Sequence, residues 1–363
     1  MTQLYDLNKQ WSSRPNDQRF LTLEELRSFV AARKEDSWTS PIPTRDITVL
    51  PAADNRLTFA VPDIARGERR ELQTTHWSFG QLASYASAPA GYLRKLPPQL
   101  AAINLAYGLE RLASNEDCLV LANNDGSMQA ITSQSYGRIW DIEVVNAVMR
   151  VNQDGRWQIP AASYSAANPR RATTLYASDR DVWMFLCDPT NPVEVNGESL
   201  FRGFMVWNSE VGAATFGLKT FLYRRVCDNR IVWGVSGVQE LNIRHTGGAP
   251  ERFAYEGQNL LRRYAEESTA RIAETVTRAQ SLRIDNDGDK AGDENVVDWL
   301  QRRGFTSAIS KAAVSVANEE EGQASSLWDI VQGLTAHARS IPNTDDRVEL
   351  ETKAGKLLAV VGG

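Results

Sequence analysis

The sequence predicts an α+β fold: a central, mostly antiparallel sheet, helices before it and a helical C-terminal subdomain. Three observations lead there. Residues 201–234, FRGFMVWNSEVGAATFGLKTFLYRRVCDNRIVWG, are densely apolar, aromatic and β-branched, the composition of a pleated, half-buried surface. The stretch 115–245 is broken into short apolar runs by turn signals, of which Asn124-Asp125-Gly126 is the sharpest hairpin cue, since aspartate and glycine accept the positive dihedrals of tight turns. Beyond Gly247-Gly248-Ala249-Pro250 the apolar period becomes helical and stays so to the end.

Taken in order, residues 1–20 are polar and read as an arm. Thr22 followed by Glu25 is a capping-box pattern, opening a helix with Leu23, Leu26, Phe29 and Val30 on one side. Residues 47–50 and 56–61 read as short strands around a turn at Pro51 to Asn55. From 77 to 114 the period is helical, cut by Pro97-Pro98. Residues 118–122 and 128–132 flank the hairpin turn, and Asp141 is placed to cap a helix through Arg150. Residues 181–187, DVWMFLC, are apolar on both faces and predict a central strand, ended by Asp188-Pro-Thr-Asn-Pro192. Residues 201–207 and 214–227 follow as strands, then 231–235 and 240–244. One long amphipathic helix is predicted over 253–283, its polar side mixing five arginines with four glutamates. Four further helices are predicted over 294–302, 307–317, 326–339 and 345–361. The expected organisation is an arm with a small αβ segment (1–70), a mixed core (71–250) and the helical subdomain (251–363).

Bulk composition limits the function classes. A chain of 363 residues, 42% hydrophobic and 23% charged, fits a soluble globular protein of one large or two ordinary domains. The net charge of -5, from 40 basic and 45 acidic residues, argues against a blanket electrostatic nucleic-acid binder and leaves room for a local basic groove. Cys118, Cys187 and Cys227 are odd in number and far apart, which points to a reducing cytoplasm. There is no apolar N-terminal leader and no span-length apolar segment, so no membrane partner is expected.

The central stretch carries the functional expectation. On a strand, Lys219, Phe221, Tyr223 and Arg225 share one face. Flat rings beside cations form the platform that single-stranded nucleic acid uses, rings stacking on bases and cations tracking phosphate. Arg224 and the exposed pair Arg170 and Arg171 are the further phosphate contacts. The competing reading makes the rings core and places the cations at strand ends or in ion pairs. Asn208, Ser209 and Glu210 form a polar cluster inside this apolar stretch. A metal nuclease built on Asp179, Asp181, Glu210 and Lys219 is a further option, weakened because Glu210 and Lys219 are an odd number of residues apart. The three histidines, His76, His245 and His337, lack ligand spacing. The acidic loop at 285–290 has lysine where a calcium loop needs glycine. No phosphate-loop or dinucleotide fingerprint occurs, so no cofactor is expected.

The segments ASDRDVW (177–183), RGFMVWNSEVG (202–212) and TFLYRRVCDN (220–229) resemble the signature of the phage- and plasmid-like proteins grouped as domain of unknown function 932. Flanking stretches are similar too: FGQL (79–82), PAGYLRKLP (89–97), SLWDIVQGLTA (326–336) and 349–358, so the likeness covers roughly residues 70 to 360. The resemblance implies a setting among bacteriophages, prophages and conjugative plasmids, in replication, recombination or evasion of host defence. It transfers no catalytic or binding residue. Together these readings predict a non-catalytic factor that binds single-stranded DNA in the host cytoplasm, with a homo-oligomer as one expected form. The alternatives are a counter-defence protein that binds a host protein and, behind it, the metal nuclease.

Overall fold

The computed structural model describes residues 15–52, 56–63, 67–112, 117–159, 173–224, 229–231, 240–266, 269–286, 292–341 and 344–361. Two sheets organise it, and the fold is α+β with helices at both ends, as the sequence predicts. The larger sheet has seven strands: β1 (Arg19–Phe20), β8 (Leu175–Ala177), β9 (Val182–Val195), β10 (Glu198–Asn208), β11 (Phe216–Arg224) and β12 (Asn229–Ile231) in that order, with β13 (Glu240–Ile243) also pairing β11. Every pairing in it is antiparallel. The second sheet has six: β2 (Ser37–Pro43), β6 (Asp117–Asn123), β7 (Ser127–Ser133), β5 (Glu68–Thr74), β4 (Leu57–Asp63) and β3 (Thr48–Pro51), in which β5 and β7 run parallel. Strand β5 crosses the boundary expected near residue 70, so residues on both sides of that position share one sheet.

Side-chain parity decides what each face of the large sheet meets. Val182, Met184 and Leu186 of β9, Phe204 and Val206 of β10, and Phe216 and Leu218 of β11 point to one side. There they pack against α1 (Leu23–Asp36), α5 (Asp141–Val151) and α7 (Gln258–Glu266) through Leu26, Val145, Val148 and Leu261. Farther along the same side, Val193, Val195, Leu200 and Leu222 meet the C-terminal helices α8 (Thr269–Ser281), α9 (Asp293–Arg302), α10 (Ser307–Glu320), α11 (Leu327–Ala338) and α12 (Thr344–Lys356). Large bulk such as Trp299 and Trp328 fills that end. The change of parity on β9 is a bulge. Asp188 pairs Arg202 and Val193 pairs Leu200, so residues 189–192 face a single partner residue. The prolines at 189 and 192, expected to end the strand, instead sit in that bulge, where a missing ladder hydrogen bond costs little.

The predicted helix over 253–283 begins earlier, at α6 (Ala249–Arg252), and opens with a π turn at Phe253–Gly257; among the described residues it continues as α7 and α8. The wide turn brings Gly257 against the rings of Phe253 and Phe216, where a Cβ would lie 2.9 Å from Phe253. Packing against the sheet overrides the local period there. At the N-terminus of α1, Thr22 Oγ1 accepts from the Glu25 N–H at 3.1 Å, while the Glu25 carboxylate accepts from Leu21 N–H at 2.8 Å. The cap is that of the expected box, shifted by one residue on its return bond. The smaller sheet carries α2 (His76–Tyr85), α3 (Ala90–Leu93) and α4 (Pro98–Tyr107) on one face, around Phe59, Leu72, Leu82, Leu105 and Cys118. Burial raises the Cys118 thiol to about 12, so this cysteine is an inert core group.

The opposite face of the large sheet depends on two glycines. Gly203 lies directly across from Phe221, and Gly217 directly across from Trp207. A Cβ on either would come within 2.0 Å of the facing ring. Each glycine is therefore a slot over which an aromatic ring of the neighbouring strand lies. Gly203→Ala and Gly217→Ala are each expected to destabilise the protein by about 1–3 kcal/mol through overpacking, read from the midpoint of urea unfolding at unchanged m-value.

Candidate functional site

The turn after β10 is where the elements converge. Asn208, Ser209 and Glu210 are all buried. Arg33, near the end of α1, places its guanidinium between two carboxylates, 2.5 Å from Asp141 Oδ2 and 2.8 Å from Glu210 Oε1. It also donates to the Ser178 carbonyl. Glu210 Oε2 accepts from the Asp141 N–H at 3.1 Å, which meets an orphan donor at the start of α5. Asn208 Nδ2 donates to Asp141 Oδ1 at 2.6 Å and to the Ile139 carbonyl at 2.8 Å. Ser209 Oγ donates to the Arg180 carbonyl at 2.5 Å and accepts from Ala213 N–H at 2.8 Å. Trp140, not Asp141, occupies the N-cap of α5. The Asp141 side chain turns inward because Arg33 and Asn208 offer it stronger partners than its own helix does.

A second ring of contacts holds this turn from the side of the smaller sheet. Tyr136 O–H donates to the Ser209 carbonyl at 3.0 Å, and Arg138 donates to the Glu210 carbonyl. Trp77 Nε1 and Gln81 Nε2 of α2 both donate to the Val211 carbonyl, at 3.0 and 2.8 Å. His245 stacks on Tyr136 with centroids 5.1 Å apart, and its Nδ1 lies 3.1 Å from the Gly137 carbonyl.

Burial and charge set the protonation of these groups. Asp141 is held well above the usual carboxylate range, first by burial and then by the charge of Glu210, against the opposing pull of Arg33. Burial works against the charge on Arg33, but Glu210 and Asp141 outweigh it and hold its pKa above the ordinary value. Burial lowers Arg138 and His245 and raises Tyr136. The Glu210 oxygens are both engaged, and Asp181 Oδ1 accepts from Ser178 Oγ at 2.7 Å. Among the described residues no group of three or more His, Cys, Asp or Glu is placed to hold a metal. The arrangement of Asp179, Asp181, Glu210 and Lys219 expected for a nuclease is thus not assembled: Glu210 faces Arg33, while Lys219 Nζ lies 5.9 Å from the Trp207 ring.

The predicted stacking face is only partly where it was expected. Phe221 is fully buried, 4.7 Å from Phe185 and seated over Gly203. It cannot stack on a base, because the glycine slot draws its ring down onto the sheet. Lys219 is 9% exposed, in the interior strand between β10 and β13. Tyr223 and Arg224 lie at the end of β11 by their backbone. Arg170, Arg171 and Arg225 lie outside the described residues.

The same face nevertheless carries a row that sequence reading missed. Arg19, Tyr176, Trp183, Trp207 and Gly217 sit directly opposite one another on five adjacent strands. Trp183 and Trp207 are half-buried and stacked, with centroids 5.6 Å apart and planes at 22°. The signal was present as tryptophan at equivalent places in two consecutive strands, but the pairing register that makes them neighbours cannot be read from either strand alone. Arg33, Arg138 and Tyr136 were missed for a similar reason: nothing near them in sequence marks Glu210 as their partner.

Fold and site together define a two-sheet α+β protein in which the buried ionisable groups around the central turn serve internal contacts. The family model described as a domain of unknown function (DUF932) matches residues 133–349, and the chain belongs to that family. The match begins at the last residue of β7 and takes in α5, the strands from β8 to β13 and the C-terminal helices into α12. Arg33 and most of the smaller sheet precede it, as do the stretches 79–82 and 89–97. No curated protein and no solved structure matches the chain. Among the described residues no helix is long and apolar enough to cross a membrane.

Two outcomes follow from the buried ion cluster. Arg33→Met leaves two buried carboxylates without their cation and is expected to cost about 3–5 kcal/mol of stability, measured by urea unfolding. A carboxyl whose pKa is raised on folding contributes stability that is full below the unfolded carboxylate range and is lost as pH rises through the folded value. Asp141→Asn is therefore expected to flatten a decline in unfolding free energy between about pH 4 and the raised Asp141 range, read from urea midpoints across that interval.

Proposed function

We propose that this chain is a non-catalytic nucleic-acid-binding factor that prefers single strands and serves replication or recombination of a mobile element. The observation that carries the reading is the stacked, half-buried pair Trp183 and Trp207 with Lys219 beside it. Bases have flat apolar faces that stack on such rings whatever their sequence, and a nearby ammonium meets the phosphate. In a duplex those faces are already stacked on their neighbours, so a sheet-borne aromatic row favours single strands. The net charge of -5 makes the contact local, a short footprint instead of a long electrostatic groove. The platform thus moves from Phe221 to the tryptophans two rows away on the same face. The engagement of Glu210 with Arg33 and the Asp141 N–H supports binding over cleavage.

Anisotropy of a fluorescent oligothymidine is expected to report binding that exceeds that of a duplex of equal length and weakens with salt. Trp207→Ala is expected to lose about 1–3 kcal/mol of binding free energy. Lys219→Ala is expected to reduce the salt slope by about one. Since Trp207 also packs on Gly217, thermal melting verifies that each variant is folded. Absence of binding at low salt, or folded variants with unchanged affinity, would overturn the reading.

A further inference from the structure

Helix α4, with sequence PQLAAINLAY, is apolar on both sides. Ala101, Ala102 and Leu105 face the core of the smaller sheet. Leu100, Ile103 and Tyr107 face outward and are 50%, 65% and 60% exposed, with Tyr92 of α3 56% exposed. Their spacing of three and four residues sets them on one helical stripe. Gln99 and Asn104 are its polar residues; an aligned apolar ridge nonetheless differs from the scattered exposed apolar residues of any surface. Exposed Arg94, Lys95 and Arg111 border this ridge in sequence; Arg94 also lies over the Phe79 ring and donates to the His76 carbonyl, and Arg111 pairs with the one carboxylate there, Glu110.

At the other end of the chain, α9 and α10 enclose an open groove of about 800 Å³. Val297 and Val314 contribute its apolar lining, and Asp293, Glu294, Asp298 and Glu319 its carboxylates, against the single ammonium of Lys311. A ridge with a basic border and a groove with acidic walls are complementary in sign. Within one chain they do not meet: the ridge residues are exposed while the groove stands open. The groove's charge opposes phosphate, which sets this contact apart from the nucleic-acid reading above.

We propose that α4 of one copy seats in the α9–α10 groove of a second copy. The contact joins two different patches, so it is head-to-tail and builds a ring or an open chain of copies according to the rotation at each step. The apolar ridge supplies the attraction, and the charges select register and orientation.

Sedimentation velocity on the full chain, over a range of concentrations and salt, tests this directly. Species heavier than one chain are expected at low salt, with dissociation as salt rises. Ile103→Asp is expected to weaken association at least about tenfold. The reversals Lys95→Glu with Arg111→Glu, and separately Glu294→Lys with Glu319→Lys, are expected to weaken it similarly, and the four together to restore it. These side chains lie on the surface, and circular-dichroism melts verify that the variants fold. A single-chain species at every concentration, association unaffected by Ile103→Asp, or failure of the combined reversals to restore association would each overturn the proposal. So would capture of a different protein by the ridge while the chain itself stays monomeric.

Discussion

Glu210 joins parts of the chain that are far apart in sequence. Its carboxylate receives Arg33 from α1 and the first N–H of α5, while its carbonyl receives Arg138. Removing two carboxylates and a guanidinium from water is expensive unless each finds a partner in good geometry. Burial alone would therefore expel this turn. It stays inside because Arg33 serves both acids at once and Asn208 supplies a neutral donor to the second. The raised pKa of Asp141 records first its burial and then the charge of Glu210, the second acid that shares Arg33.

The same turn lies against both sheets. On one side it closes the hairpin between β10 and β11; on the other, Val211 packs with Leu121 and Ala130 of the smaller sheet and its carbonyl is held by Trp77 and Gln81. The family match starts at Ser133, so the polar turn ties the matched stretch to segments that precede it. Arg33 reaches in from one of those segments, α1. A second buried pair, Arg202 with Asp188, marks the place where the sheet's cover passes from the α1–α5–α7 layer to the C-terminal helices, and Arg202 also donates to the Tyr264 carbonyl at 3.3 Å.

The large sheet is unlike on its two sides. One carries two apolar layers beneath helices, parted by the Arg202–Asp188 pair; the other carries rings laid over glycines. The pairs Gly203–Phe221 and Gly217–Trp207 use the missing Cβ in the same way, yet leave the two rings differently exposed. Phe221 is drawn fully into the interior, whereas Trp207, paired also with Trp183, keeps part of its ring in reach of solvent. A shared slot geometry thus separates a packing ring from a candidate stacking ring by two rows of the same sheet.

Much of the architecture was legible because it rests on local pattern. The alternation in residues 201–207 and 214–227, the Asp125-Gly126 turn and the Thr22 cap of α1 each signal their own geometry over a few residues, and the described residues contain strands over Glu198–Asn208 and Phe216–Arg224, the hairpin turn and that cap. The family likeness was legible on the same grounds, since its motif spans contiguous strands. Strand β5, with sequence ERRELQT, was not, because only Leu72 in it is fully buried and its pairing with β4 and β7 comes from distant segments. Nor was the continuation of β9 past Pro189, which needs the facing strand to absorb the bulge. By itself the sequence determined many of the elements, the mixed class and the presence of a polar cluster at Asn208, Ser209 and Glu210. Only the tertiary structure decided which rings lie buried and which acids share a cation, because register and burial are set by partners many residues away and not by the neighbours along the chain.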